Sequence, residues 1–203
     1  MRLIVVDGLD GCGKDTHAQN IKRILEPKGE KVTIVSHPSK RWLGRISKRA
    51  LEGSGMAARL FATVFFTADV LMSVRWYKKQ RSGTVIFVRY LLGAAYLPER
   101  FAAAGYKFFR KLLPFPELAF FIDIRPEVAR RRILARGHRP EMFETMDKLA
   151  KVRKVAKRLV ESEWITIDNS EDGERPFKMV ESILNDRIRS SDKSPAILGH
   201  RPP

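Results

Sequence analysis

The sequence predicts an α/β domain in which a parallel sheet is covered by helices on both faces. Three observations carry that expectation. Short apolar runs rich in β-branched and aromatic residues recur at Leu3–Val6, Val32–Val35, Thr84–Val88, Leu118–Ile124 and Trp164–Ile167, each of a length suited to a buried strand. The segments between several of them carry apolar residues at helical spacing, and strand alternating with helix is the pattern of parallel pairing. The first run also leads directly into a glycine-rich stretch and then an amphipathic segment, Thr16–Leu25.

From Met56 the apolar positions Leu60, Val64, Ala68 and Met72 share one stripe, which predicts a helix with that stripe inward. The most apolar stretch of the chain, Leu60–Val74, is interrupted by Asp69 and bounded by Arg59 and Arg75. It is shorter than the ~20 residues a bilayer requires and reads as a buried helix. Between Phe143 and Val160 the spacing puts Phe143, Met146, Leu149, Val152, Val155 and Leu159 inward, with Lys148, Lys151, Lys154, Lys157 and Arg158 largely outward. That basic row reads as a solvated face, with a nucleic-acid helix as the competing reading. Phe177, Val180, Leu184 and Ile188 mark a last helix. Beyond it the chain is polar and aperiodic, so residues 190–203 are expected to be a disordered tail behind a single domain, 1–189.

The chain has 203 residues, 44% of them hydrophobic, which suits one core. A formal charge of +16 attracts polyanions of any kind, phosphate, nucleic acid or anionic surface alike. The single cysteine, Cys12, excludes an internal disulfide framework, and no signal-peptide pattern precedes the first strand. A reducing cytoplasm is the expected setting.

Gly8-Leu9-Asp10-Gly11-Cys12-Gly13-Lys14-Asp15-Thr16 has the spacing of a phosphate-binding loop, with a strand before it and a helix behind it. Glycines allow successive backbone N–H groups to converge on phosphate oxygens, and the helix N-terminus adds its dipole. Lys14 supplies the cation for the β- and γ-phosphates of a nucleoside triphosphate. Asp15 stands where a Ser or Thr hydroxyl normally meets Mg²⁺, so Asp15 and Thr16 are the candidate metal ligands. Cys12 is open to two readings, a thiol activated by the helix dipole and Lys14, or a small side chain required by the loop.

These residues resemble the thymidylate kinase family. Gly8 to Thr16 follows its loop apart from Asp15, and His37-Pro38 followed by Gly44 and a basic helix is similar to its Arg-Glu-Pro segment. Phe65-Phe66-Thr67-Ala68-Asp69 resembles its Leu-Phe-Ala-Ala-Asp helix, and Arg89-Tyr90 its Asp-Arg-Tyr motif. Leu118 to Ala129, Arg132 to Gly137, Phe143-Glu144 and Ile167-Asp168 continue the likeness in order, over roughly residues 1 to 188.

The resemblance implies a P-loop NTPase fold with five parallel strands and a small lid at about residues 136–143. It further implies ATP and Mg²⁺ as donor and cofactor, a nucleoside 5′-monophosphate such as dTMP as acceptor, and a homodimer. By the same resemblance Arg89 holds the acceptor phosphate, Arg136 and Arg139 close over the triphosphate, and Phe66 stacks on the base. Asp10 and Tyr96 complete the acceptor side. Phe66 as ordinary core, and Arg136, Arg139 and His138 as plain surface residues, are the competing readings.

Four features depart from the family pattern, all of them on the acceptor side. Val88 takes the place of the motif's aspartate, Val70 that of an arginine reaching the thymine, and His37 that of a glutamate. The spacing from Arg89-Tyr90 to Ala95-Tyr96 is one residue short. A kinase with another acceptor, a nucleotide-binding relative with lost activity, and a basic nucleic-acid-associated P-loop protein are the alternatives, and Asp7, Asp10, Asp15 and Asp123 could replace the missing carboxylate.

Overall fold

The computed structural model describes residues 1–51, 56–135, 144–160 and 163–192. Strand β1 (Arg2–Asp7) leads through the glycine loop into α1 (Lys14–Leu25), and β2 (Val32–Ser36) follows. Helices α2 (Trp42–Leu51) and α3 (Met56–Tyr77) then pack on each other before β3 (Thr84–Val88). A short 3-10 turn at Leu92–Tyr96 precedes α4 (Glu99–Leu112) and β4 (Leu118–Asp123). The order closes with α5 (Pro126–Leu134), α6 (Met146–Leu159), β5 (Trp164–Asp168) and α7 (Arg175–Asp192).

All strand pairs are parallel and the order across the sheet is β2-β3-β1-β4-β5. Strand β1 therefore sits at the centre, with the chain winding out to β3 on one side and β4 on the other. Such a switch point opens a crevice at the carboxyl ends of the strands. The ends lie in register there, with Val6 opposite Val88 and Phe120, and Ser36 opposite Val88. β1, β3 and β4 are buried nearly throughout, which is why they read as continuous apolar runs.

Two helices correct the sequence reading. In α3 the expected inward stripe faces out, with Val64 54% and Met72 40% exposed, while Ala62, Asp69, Val70, Ser73 and Val74 are buried. This helix is apolar on nearly every side, so its spacing carries no direction; Asp69 and Ser73 face inward to bond His37, Ser39 and Arg41, and Val70 and Val74 join the main core. α7 runs to Asp192, past the expected end of the domain, and residues 193–203 lie outside the described part. In α6, Leu149, Val152, Val155 and Leu159 are buried as expected, Met146 is only half-buried, and Phe143 falls outside the described residues. No helix among the described residues is long and apolar enough to cross a membrane.

Candidate active site

The loop after β1 turns on glycines, each held at a positive φ and packed against neighbouring atoms. Gly11 has φ 77°, and a Cβ there would lie 2.6 Å from the Ala129 carbonyl oxygen. Gly13, at φ 87°, is the last residue before α1, and a Cβ on it would press on Asn169 at 2.8 Å. Asn169, just past β5, donates to the Cys12 carbonyl at 2.7 Å and so ties the loop to the far side of the sheet. The Lys14 ammonium donates to the Leu9 carbonyl at 3.0 Å and lies 3.6 Å from Asp10.

Cys12 is fully buried, and burial pushes its thiol above the ordinary range despite Lys14 nearby. That favours the small-side-chain reading over an activated thiolate.

Asp10 is the junction of the site. Lys14 approaches it from the loop, Arg89 pairs with it, and the Tyr96 hydroxyl donates to it at 3.0 Å. Burial opposes its ionisation, but Arg89, Lys14 and Tyr96 outweigh burial and hold the carboxyl below its ordinary value. Tyr96 is raised well above the ordinary phenol value by its own burial and by Asp10, so its proton stays on oxygen. Phe66 is half-buried and abuts the 3-10 turn, since a Cβ on Gly93 would come within 3.0 Å of its ring.

Arg89 occupies the left-handed region at φ 60°, which costs a non-glycine residue about 1 kcal/mol or more. Asp7, at the end of β1, braces the segment that follows it. One Asp7 oxygen accepts from the N–H groups of Tyr90 and Leu92 at 2.8 and 2.9 Å, and the other from Gly8 at 3.0 Å. Burial nevertheless raises the Asp7 carboxyl above its ordinary value.

Among the residues the resemblance names, Lys14, Arg89 and Tyr96 all contact Asp10. Asp15 and Thr16 stand exposed in the first turn of α1, with Ser36 donating to Asp15 at 3.1 Å. Arg136 and Arg139, with the whole expected lid and His138, lie outside the described residues. Of the carboxylates named as replacements for the one absent at Val88, Asp123 is occupied by a two-pronged Arg153 contact at 2.7 and 2.8 Å. Burial opposes ionisation of Asp123, but Arg153 and then Lys157 hold it below its ordinary value.

The bracing by Asp7, the Asn169 tie and the Arg153 pair were not foreseen. The sequence signal for two of these is an aspartate closing an otherwise apolar strand, at positions 7 and 123.

Among the described residues, no group of three or more His, Cys, Asp or Glu is gathered so as to hold a metal ion. One carboxylate and one hydroxyl at the loop fit Mg²⁺ in its usual setting, where substrate phosphates and water fill most of the coordination sphere.

Comparison with known proteins places the chain in a family. The thymidylate kinase family model matches residues 6–180. A probable thymidylate kinase from Archaeoglobus fulgidus is 31% identical over 193 residues, covering 90% of this chain and 96% of that protein. The thymidylate kinase of Xanthomonas campestris pv. campestris is 30% identical over 205 residues, covering 92% and 86%. The solved thymidylate kinase of Candida albicans superposes with a TM-score of 0.71 at 19% identity, over 94% of this chain and 92% of that one. With the loop, the sheet order and the Asp10 junction in place, the chain belongs to the thymidylate kinase family.

Proposed function

We propose that the protein transfers the γ-phosphoryl group of ATP to dTMP, yielding ADP and dTDP. The observation that carries this reading is the Asp10 carboxylate, on which Lys14 from the loop and Arg89 and Tyr96 from beyond β3 converge. Phosphoryl transfer asks a protein mainly for alignment and for positive charge around the migrating group. Backbone N–H groups of residues 8–14 and Lys14 would take the triphosphate. The Arg89 guanidinium would take the acceptor phosphate in a two-pronged contact that a lysine cannot make. Phe66 offers a ring beside the turn for the base, and Asp10 and Tyr96 face the acceptor sugar.

Asp15 and Thr16 would hold Mg²⁺ together with the phosphates, the metal supplying charge neutralisation. By family resemblance Arg136 and Arg139 would close over the donor. The reading also takes the enzyme as cytoplasmic and homodimeric. The outer face of α2 and α3, with Trp42 56% and Phe61 58% exposed alongside Val64 and Met72, is the apolar surface a second copy would cover.

A coupled assay for ADP release with Mg-ATP and a panel of nucleoside monophosphates tests this function. dTMP is expected to be the preferred acceptor. Turnover confined to another monophosphate, or ATP binding with no transfer, would count against it.

A further inference from the structure

The left-handed conformation of Arg89 has to be held by its surroundings, and one of the groups holding it is a side chain from a different strand. His37, just beyond β2, is buried, with its ring edge-on to Phe87 at 5.5 Å and to Phe66 at 6.2 Å. Its Nδ1 lies 3.0 Å from the Arg89 carbonyl oxygen and 3.3 Å from that of Val88.

Carbonyl oxygens only accept, so Nδ1 carries the proton and the neutral ring presents Nε2 as an acceptor. Burial lowers the His37 pKa to about 4, so the ring is neutral at ordinary pH. Ser73 Oγ stands 2.8 Å from Nε2 and 3.1 Å from the Asp69 carbonyl oxygen, and with Nδ1 protonated its one hydrogen serves the nearer ring nitrogen. The Arg41 guanidinium donates to Ser73 Oγ and, at 3.1 Å, to the buried Asp69 carboxylate, which also takes the Ser39 N–H at 2.6 Å. A line of groups thus runs from α3 through the segment after β2 to the backbone of Arg89.

We propose that His37 is a positioning residue for acceptor binding: its Nδ1–H, with Ser73, Arg41 and Asp69 behind it, holds the Arg89 carbonyl and so aims the guanidinium at the acceptor phosphate. This rests on the role proposed for Arg89. It also accounts for the departure from the family pattern at position 37. A glutamate with the backbone and contacts of this chain would set a carboxylate against two carbonyl oxygens, whereas a histidine gives them a proton.

The geometry discriminates among substitutions. An asparagine amide nitrogen is as many bonds from Cβ as Nδ1, so His37→Asn keeps the donor. His37→Phe keeps the ring and its packing but has no N–H.

The test is steady-state kinetics with dTMP and Mg-ATP varied separately, on wild type, His37→Phe, His37→Asn, Ser73→Ala, Arg89→Ala and the His37→Phe/Arg89→Ala double variant. His37→Phe should raise the dTMP KM about tenfold and leave the ATP KM within about twofold, the scale of one buried hydrogen bond. His37→Asn should recover most of that loss. Adding His37→Phe to Arg89→Ala should change the dTMP KM little, because no guanidinium remains to be aimed.

Additive effects, equal rises in both KM values, or an asparagine variant no better than phenylalanine would overturn the proposal. If Arg89→Ala alone left the dTMP KM unchanged, the role of Arg89 would fail instead. Should His37→Phe not fold, Ser73→Ala decides, with a several-fold rise in the dTMP KM expected and no change contradicting the proposal.

Discussion

On the function proposed above, the donor and acceptor sides of this site meet at Asp10 but are assembled differently. The donor side is one unbroken segment, Gly8 to Thr16, whose geometry is set by its own glycines and by the helix behind it. The acceptor side draws Arg89 from the end of β3, Tyr96 from a 3-10 turn, Phe66 from α3 and His37 from the end of β2. A segment that shapes itself tolerates change in the rest of the fold. A site gathered from four elements depends on the bracing between them, and its failures should be selective for one substrate.

Lys14→Ala should give the largest effect, because its cation follows the transferred group. Loss of turnover on the order of a hundred- to a thousandfold, with weaker ATP binding, is expected. Stopped-flow or calorimetric ATP titration beside the kinetics checks it, and unchanged affinity and turnover would break the comparison at its firmest point. Arg89→Ala comes next and should strike only the other side. A charged contact of this kind is worth roughly ten- to a hundredfold in acceptor binding, with ATP affinity unchanged.

Tyr96→Phe sharpens the comparison further. It removes one hydrogen bond from Asp10, and a few-fold rise in the dTMP KM is the expected scale.

Stability against acid gives the smallest effect and reports on the carboxyl end of β4. Arg153 and Lys157 keep Asp123 ionised below the ordinary carboxylate range of about 4. A depressed folded-state pKa contributes stability above the unfolded value and loses it as pH falls through the folded value. Arg153→Gln should therefore flatten the decline in thermal midpoint below about pH 4, followed by calorimetry from pH 6 to pH 2.5. An unchanged profile would show that the pair contributes little.

What was legible in the sequence follows the same division. The three central strands could be read because both of their faces are buried, leaving apolar runs with no polar alternation, and the partly exposed edge strands β2 and β5 because of their β-branched and aromatic residues. The phosphate loop could be read because its residues are contiguous and each has a mechanical reason. The inward face of α3 could not, since a helix apolar all round offers no stripe to choose. Helix α4, by contrast, does carry an inward row, with Ala102 and Tyr106 buried and Phe109 packed on the core at helical spacing while Phe101 and Phe108 face out. The bracing of Arg89 by Asp7 and His37 was out of reach for another reason. Those contacts join residues more than fifty positions apart, and nothing short of the sheet register brings them together.

The central claim is that one carboxylate joins an ATP side served by Lys14 to a dTMP side served by Arg89. The most direct measurement is dTMP-dependent ADP release by wild type and by Arg89→Ala, with each substrate varied at saturating levels of the other. Turnover of dTMP by wild type, with a raised dTMP KM and an unchanged ATP KM in the variant, is the predicted result. No dTMP-dependent ADP from wild type, or a variant that loses ATP and keeps dTMP, would contradict it.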